Sequence, residues 1–293
     1  MKKLGKFLTS SLVFSLTIIL FSCEPKTDNP TPTPTTTSGR DDNMALGNPS
    51  NATTSTSNAD NYLMVKPQYV LSYNRSKATA NWVSWHLNKS WKGSAVRKDD
   101  FRSDADLPSS WDKVTSSDYT STGFDRGHIC PSDDRDGSQE DNSATFYMTN
   151  MLPQAPQNNR TTWRLLEEYC RDLVFQNNSE LYIISGGYGT GGSGSEGGTT
   201  KTIGSSNVNV PARVWKVILI LPNGSNDISR ITSSTRVIAV DMPNKESVTD
   251  KKWYEYRVSV NDIETKTNLN FFNSVSTSIQ SSIESKIDTQ KIE

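Results

Sequence analysis

One amphipathic helix lies among strand candidates that precede and follow it without regular alternation. This order of elements constrains the fold more than any other feature of the chain. Between Thr161 and Gln176, Leu166, Tyr169, Cys170, Leu173 and Val174 recur at helical spacing and form a core-facing stripe. Before it, Val70–Tyr73 and Trp82–Leu87 read as an early strand pair, rich in β-branched and aromatic residues. After it come Leu181–Ser185, ended by Gly186-Gly187, and Val214–Leu221, the longest strand candidate, stopped by Pro222-Asn223-Gly224. Arg236–Val240 is a further strand, and Phe271–Ile292 has helical spacing in places. Gly189–Thr200, rich in Gly, Ser and Thr, reads as a mobile surface loop. Strands before, between and after helices predict an α+β domain rather than a βαβ repeat.

Only 33% of the 293 residues are hydrophobic, so part of the chain contributes nothing to a core. The N-terminus supplies that part. Lys2, Lys3 and Lys6 precede an apolar run from Leu12 to Phe21, too short for a membrane span and typical of a secretory signal. It ends in Leu20-Phe21-Ser22-Cys23, which resembles a bacterial lipoprotein signal. The expectation is that residues 1–22 are removed and that Cys23 carries a lipid. The protein would then be exported and membrane-anchored, in the periplasm or at the cell surface. Residues 23–60, dominated by Pro, Thr, Ser, Asn and Asp, read as a disordered tether, leaving 61–293 as the folded domain. Beyond Cys23 only Cys130 and Cys170 remain, both expected to be free thiols, so no disulfide framework supports the fold. The 31 Lys+Arg against 32 Asp+Glu exclude binding driven by bulk positive charge.

The chain has two histidines. His86 sits in the Trp-rich strand and reads as a packed or surface imidazole. His128 follows Phe124-Asp125-Arg126-Gly127 and precedes Ile129-Cys130-Pro131-Ser132. There a titratable ring stands beside an Arg, an Asp and a Gly that lets the backbone turn sharply. Further on, Asn150-Met151-Leu152-Pro153-Gln154 and Asn158-Asn159-Arg160-Thr161-Thr162-Trp163 lead into the helix. Asn159, Trp163, Glu167 and Arg171 are four apart, and each such step drifts only about 40° around a helix. They line one edge; taken alone, Glu167 and Arg171 also read as an exposed ion pair.

Together with Tyr73-Asn74-Arg75, Trp82-Val83, His86-Leu87 and Trp215-Lys216-Val217, these blocks resemble the DNA/RNA non-specific endonuclease family. This is the ββα-metal, or His-Me finger, group. The resemblance implies an antiparallel-sheet core carrying a ββα-metal motif. It also implies metal-dependent hydrolysis of DNA and RNA to 5′-phosphorylated products, without sequence preference. His128 then resembles the general base. Asn159 resembles the direct Mg²⁺ ligand, with Mn²⁺ as a substitute, and Glu167 the residue holding that ion through water. Arg97, Arg126 and Arg171 match the phosphate-gripping arginines, with Arg102 a rival to Arg97. Asp125 supports either the water network of the metal site or its loop. Cys130 departs from the small apolar residue common at its position. Two other readings use the same residues: a phosphodiesterase or phosphatase for another substrate, and an inactive surface-tethered nucleic-acid-binding lipoprotein.

Overall fold

The computed structural model describes residues 40–292, together with Met1. The proposed signal and Cys23 lie outside the described residues. The first strands are β1 (Tyr62–Val65), β2 (Val70–Asn74) and β3 (Thr79–Leu87), followed by a short hairpin of β4 (Asp125–His128) and β5 (Met151–Gln154). Between the strands of that hairpin lies α1 (Gln139–Ala144), and after it comes α2 (Arg164–Gln176). Then follow β6 (Ser179–Tyr188), a two-residue hairpin of β7 (Thr202–Ile203) and β8 (Val208–Asn209), and β9 (Arg213–Pro222). The chain closes with α3 (Asp227–Arg230), β10 (Arg236–Pro243), β11 (Arg257–Val258), α4 (Val260–Thr267) and α5 (Thr277–Glu284).

A seven-stranded sheet, ordered β1-β2-β3-β6-β9-β10-β11, has antiparallel neighbours throughout. The fold is α+β, as the element order predicts. Alternation along β9 shows why both faces of the sheet are covered. Val214 and Ile218 pack into the cluster that includes Leu166, Cys170 and Val174 of α2. Trp215, Val217, Leu219 and Leu221 pack on the other face with Leu46, Phe271 and Phe272. Burying each such side chain contributes about 1.5–3 kcal/mol, so this sheet is the rigid base on which the site is built.

Several expectations change on contact with the structure. Residues 42–60 are not a tether but part of the domain. Leu46 and Ala52 are buried in the core. The polar residues around them bond rather than float. Asn43 donates to Pro67 O and accepts from His86 N, Asn48 accepts from Ala52 N, and the Ser50 hydroxyl accepts from Trp82 Nε1. Strand β6 runs through Gly186 and Gly187 instead of stopping there. A Cβ on Gly186 would lie 2.5 Å from Asn81 O and 3.0 Å from the Trp215 ring, so the glycine permits close packing inside the sheet. The segment 189–200 is irregular but pinned: Gly192 exchanges backbone bonds with Thr200, and Ser195 N donates to Gly123 O. Within Phe271–Ile292 only α5 is helical. Cys130 and Cys170 are free and buried, and burial pushes both thiols up to about 12.

Candidate active site

The β4–β5 hairpin and α2 form the site. In the hairpin Asp125 pairs with Gln154 and His128 with Met151. Gly127 lies within the strand, so its role is not a sharp turn. A Cβ there would sit 2.2 Å from Gln154 Oε1 and 2.7 Å from its Cβ, so only glycine lets the two strands close. Asn150 then locks the chain beyond His128: its side chain accepts from Cys130 N and donates to Cys130 O and Thr145 O. The segment Asn158–Trp163 enters α2 as a π-helical turn rather than an α-helical one. Such a turn shifts side-chain directions locally and recurs at functional sites.

His128, Asn159, Glu167, Arg97 and Arg126 line one cavity of about 270 Å³. The His128 ring lies between Phe146, at 4.8 Å and 88°, and Phe101, at 5.5 Å. Its Nε2 is buried with no hydrogen-bond partner among the described residues, and the residue lines the cavity. Burial, then the Arg97 and Arg126 charges, lower its pKa to about 3, which keeps the imidazole neutral. The same two arginines stack on the same two rings, Arg97 4.9 Å over Phe146 and Arg126 4.2 Å over Phe101. Arg97 also donates to the Ser132 hydroxyl at 2.7 Å and Arg126 to that of Ser116. Arg102 is turned away, bonded to Asp100 and Ser143 O and packed on Tyr147. Of the rival pair, Arg97 is the one in the cavity.

Asp125 has a defined job. Its Oδ2 accepts from Asn159 Nδ2 at 2.9 Å, and Arg160 clamps both carboxylate oxygens at 2.8 and 2.6 Å. With the amide nitrogen thus engaged, Asn159 keeps Oδ1 for the cavity. Burial pushes the Glu167 carboxyl up to about 7, against the pull of Lys216 and Arg171. Asn159 and Glu167 therefore offer hard oxygen donors in one cavity, a set that suits a small divalent cation. Arg171 does not reach it. Its guanidinium is held by Asp134 at 3.1 Å and Asp133 at 3.8 Å, tying α2 to the turn after His128. Sequence reasoning missed Arg160 and Arg164, which line the cavity from the start of the helix, and Ser132 and Asp133 beyond His128. Their signal was available, since all four sit inside or beside the quoted motifs.

A second group that could hold a metal lies elsewhere. Ligand atoms of Asp41, His86, Glu180 and Asp227 fall within 4.8 Å of one another. None of these residues lines the cavity. Arg230 already pairs with Glu180 and Asp227, and Tyr182 donates to Asp227, so this group is internally compensated.

Residues 46–278 match the family model for DNA/RNA non-specific endonuclease. This chain belongs to that family. It is 47% identical to a nuclease of Nostoc sp. over 94% of this chain and 97% of that one. It is 32% identical to the human mitochondrial nuclease EXOG over 70% of this chain and 55% of EXOG. The structure superposes on endonuclease G from a crystal structure of the EndoG/EndoGI complex with a TM-score of 0.64. That match has 26% identity and covers 80% of this chain and 91% of that one. The family member described here is thus a hydrolase acting on DNA and RNA. Its family is metal-dependent, and neither a phosphatase nor an inactive binding scaffold is favoured.

Proposed function

We propose that the cavity hydrolyses phosphodiester bonds with His128 as general base, giving 5′-phosphorylated products. One observation carries this reading: a neutral imidazole, two stacked arginines and two oxygen donors share a single cavity. His128 accepts the proton of the attacking water, because at neutral pH the uncharged ring has a lone pair available for it. Arg97 and Arg126 bind the phosphate oxygens and stabilise the charge gathered there in the transition state. Arg160 holds Asp125, which orients Asn159. Asn159 would hold Mg²⁺ directly, or Mn²⁺ in its place, and Glu167 would hold it through water. When bound, the ion supplies positive charge for the leaving 3′-oxygen. No residue here matches a sequence-reading motif, which accords with backbone recognition. The test is nicking of supercoiled plasmid with and without a chelator. Nicking that survives complete chelation removes the metal from the reading, and no nicking under any condition removes the activity.

The same reading places the enzyme outside the cytoplasm, anchored by a lipid on Cys23, with the segment up to about residue 39 as its tether. Its support is the Lys-rich start, the short apolar run and the Ser22-Cys23 junction. Expression of Cys23→Ala with a labelled fatty acid decides it: label retained on the variant excludes Cys23 as the anchor.

A further inference from the structure

Strand β9 carries one charge into the centre of the sheet. Lys216 stands between Val214 and Ile218 on the face covered by α2, opposite Ser185 and Val240, and is only 1% exposed. Its ammonium lies 4.5 Å from the Trp163 ring and 5.3 Å from that of Trp85. Its one carboxylate contact among the described residues is Glu167 Oε1, at 3.5 Å. An ammonium has three donors, and a buried one with a single long contact is poorly compensated. An unbranched apolar side chain would fill the same slot without desolvating a charge. Packing therefore gives no reason for a lysine here.

The direction of the ammonium gives one. Glu167 leaves α2 toward the cavity with its side chain 14% exposed. Arg171, one turn further on, is taken by Asp134 and Asp133. Among the described residues Lys216 is thus the cation in direct contact with Glu167, and Arg171 acts on it only from farther off. Lys216 contacts Oε1 at 3.5 Å, while Glu167 itself lines the cavity. Trp163, one turn before Glu167 on the same helical edge, sits under the ammonium and restricts where it can go.

We infer that Lys216 is a positioning residue, fixing the Glu167 carboxylate from within the sheet so that one oxygen faces the divalent cation. This rests on the assignment of Glu167 in the proposed function. It predicts an unusual pairing of effects, because the residue serves the site at the expense of the core. Lys216→Met should fold with an unchanged or higher Tm. Its Mn²⁺ affinity, read by electron paramagnetic resonance without substrate, should fall by about tenfold or more. The nicking kcat should fall similarly, while KM for DNA stays within about twofold. Lys216→Arg should recover part of the loss. In a Glu167→Gln background, Lys216→Met should have no further effect on Mn²⁺ binding.

Wild-type protein is the control for the underlying reading. Wild type that neither nicks DNA nor binds Mn²⁺ overturns both claims. If wild type does both, three results overturn the role of Lys216 alone. These are Mn²⁺ affinity of Lys216→Met within twofold of wild type, an effect undiminished in Glu167→Gln, or a Lys216→Met protein that does not fold.

Discussion

The two histidines of this chain are both deeply set, yet their surroundings are opposite. His86 is fully buried, stacks on Tyr182 at 4.8 Å, and faces the carboxylates of Glu180 at 3.4 Å and Asp41 at 3.7 Å. Its Nδ1 accepts from Asp41 N, so the ring is bonded on both sides. His128 has aromatic rings on both sides, two arginines nearby and, among the described residues, no carboxylate partner. One imidazole is satisfied and holds the N-terminal segment to the sheet. The other is kept neutral and unsatisfied at a cavity wall. The lesson is that burial alone does not separate a structural histidine from a catalytic one; the sign of the neighbouring charge does.

The largest effect should come from removing the unsatisfied ring. His128→Ala should lower nicking by about 10³-fold, since proton abstraction is lost, while Tm stays within a few degrees of wild type. Residual activity within tenfold of wild type would take His128 out of the mechanism. Next come the oxygen donors that distinguish the His128 cavity from the His86 group. Asn159→Ala should lower activity by about 10²-fold and raise the Mg²⁺ concentration for half-maximal rate. Glu167→Ala should do so by about tenfold, because it acts through water. Unchanged Mg²⁺ dependence in both would move the metal elsewhere, and the group around His86 would become the first place to look.

These contrasts also show what the sequence made legible. Asp125-Arg126-Gly127-His128 and Asn159 through Glu167 are contiguous or helically spaced, so a linear reading finds them. Strands β9 and β10 were legible as apolar runs rich in Val and Ile, whereas their antiparallel pairing came from the family resemblance. The ion pairs of Arg171 were not legible, for a physical reason. Helical spacing puts this residue on the edge that carries Glu167, but the carboxylates that capture it, Asp133 and Asp134, come from a turn more than thirty residues earlier. Residues 42–60 were read as a tether because composition reports few apolar side chains. It cannot report that Asn43 bonds to the distant backbone of Pro67 and His86, or that Ser50 bonds to Trp82.

The satisfied ring should show the reverse pattern. His86→Ala leaves the Glu180 and Asp41 carboxylates without the imidazole and removes its packing on Tyr182. A loss of about 3 kcal/mol in unfolding free energy is expected, with kcat within about threefold of wild type. A large drop in kcat in a protein of unchanged stability would erase the distinction between the two histidines.

The smallest effect tests the cause of that distinction directly. The His128 pKa is lowered from 6.5 to about 3, so the folded protein refuses a proton that the unfolded chain accepts. A depressed pKa contributes stability that is fully present above the unfolded value and is lost as pH falls through the folded one. Between pH 7 and pH 5 wild type should therefore lose stability that His128→Asn, which cannot titrate, retains. The gap at pH 5 should be at most about 2 kcal/mol, because His128 is partly open to the cavity. Other titrating groups are common to both proteins and cancel in the comparison. Urea unfolding of wild type and His128→Asn at the two pH values measures it. A stability difference that does not change with pH would mean that the ring protonates normally in the fold. The two phenylalanines and two arginines would then not be what keeps it neutral.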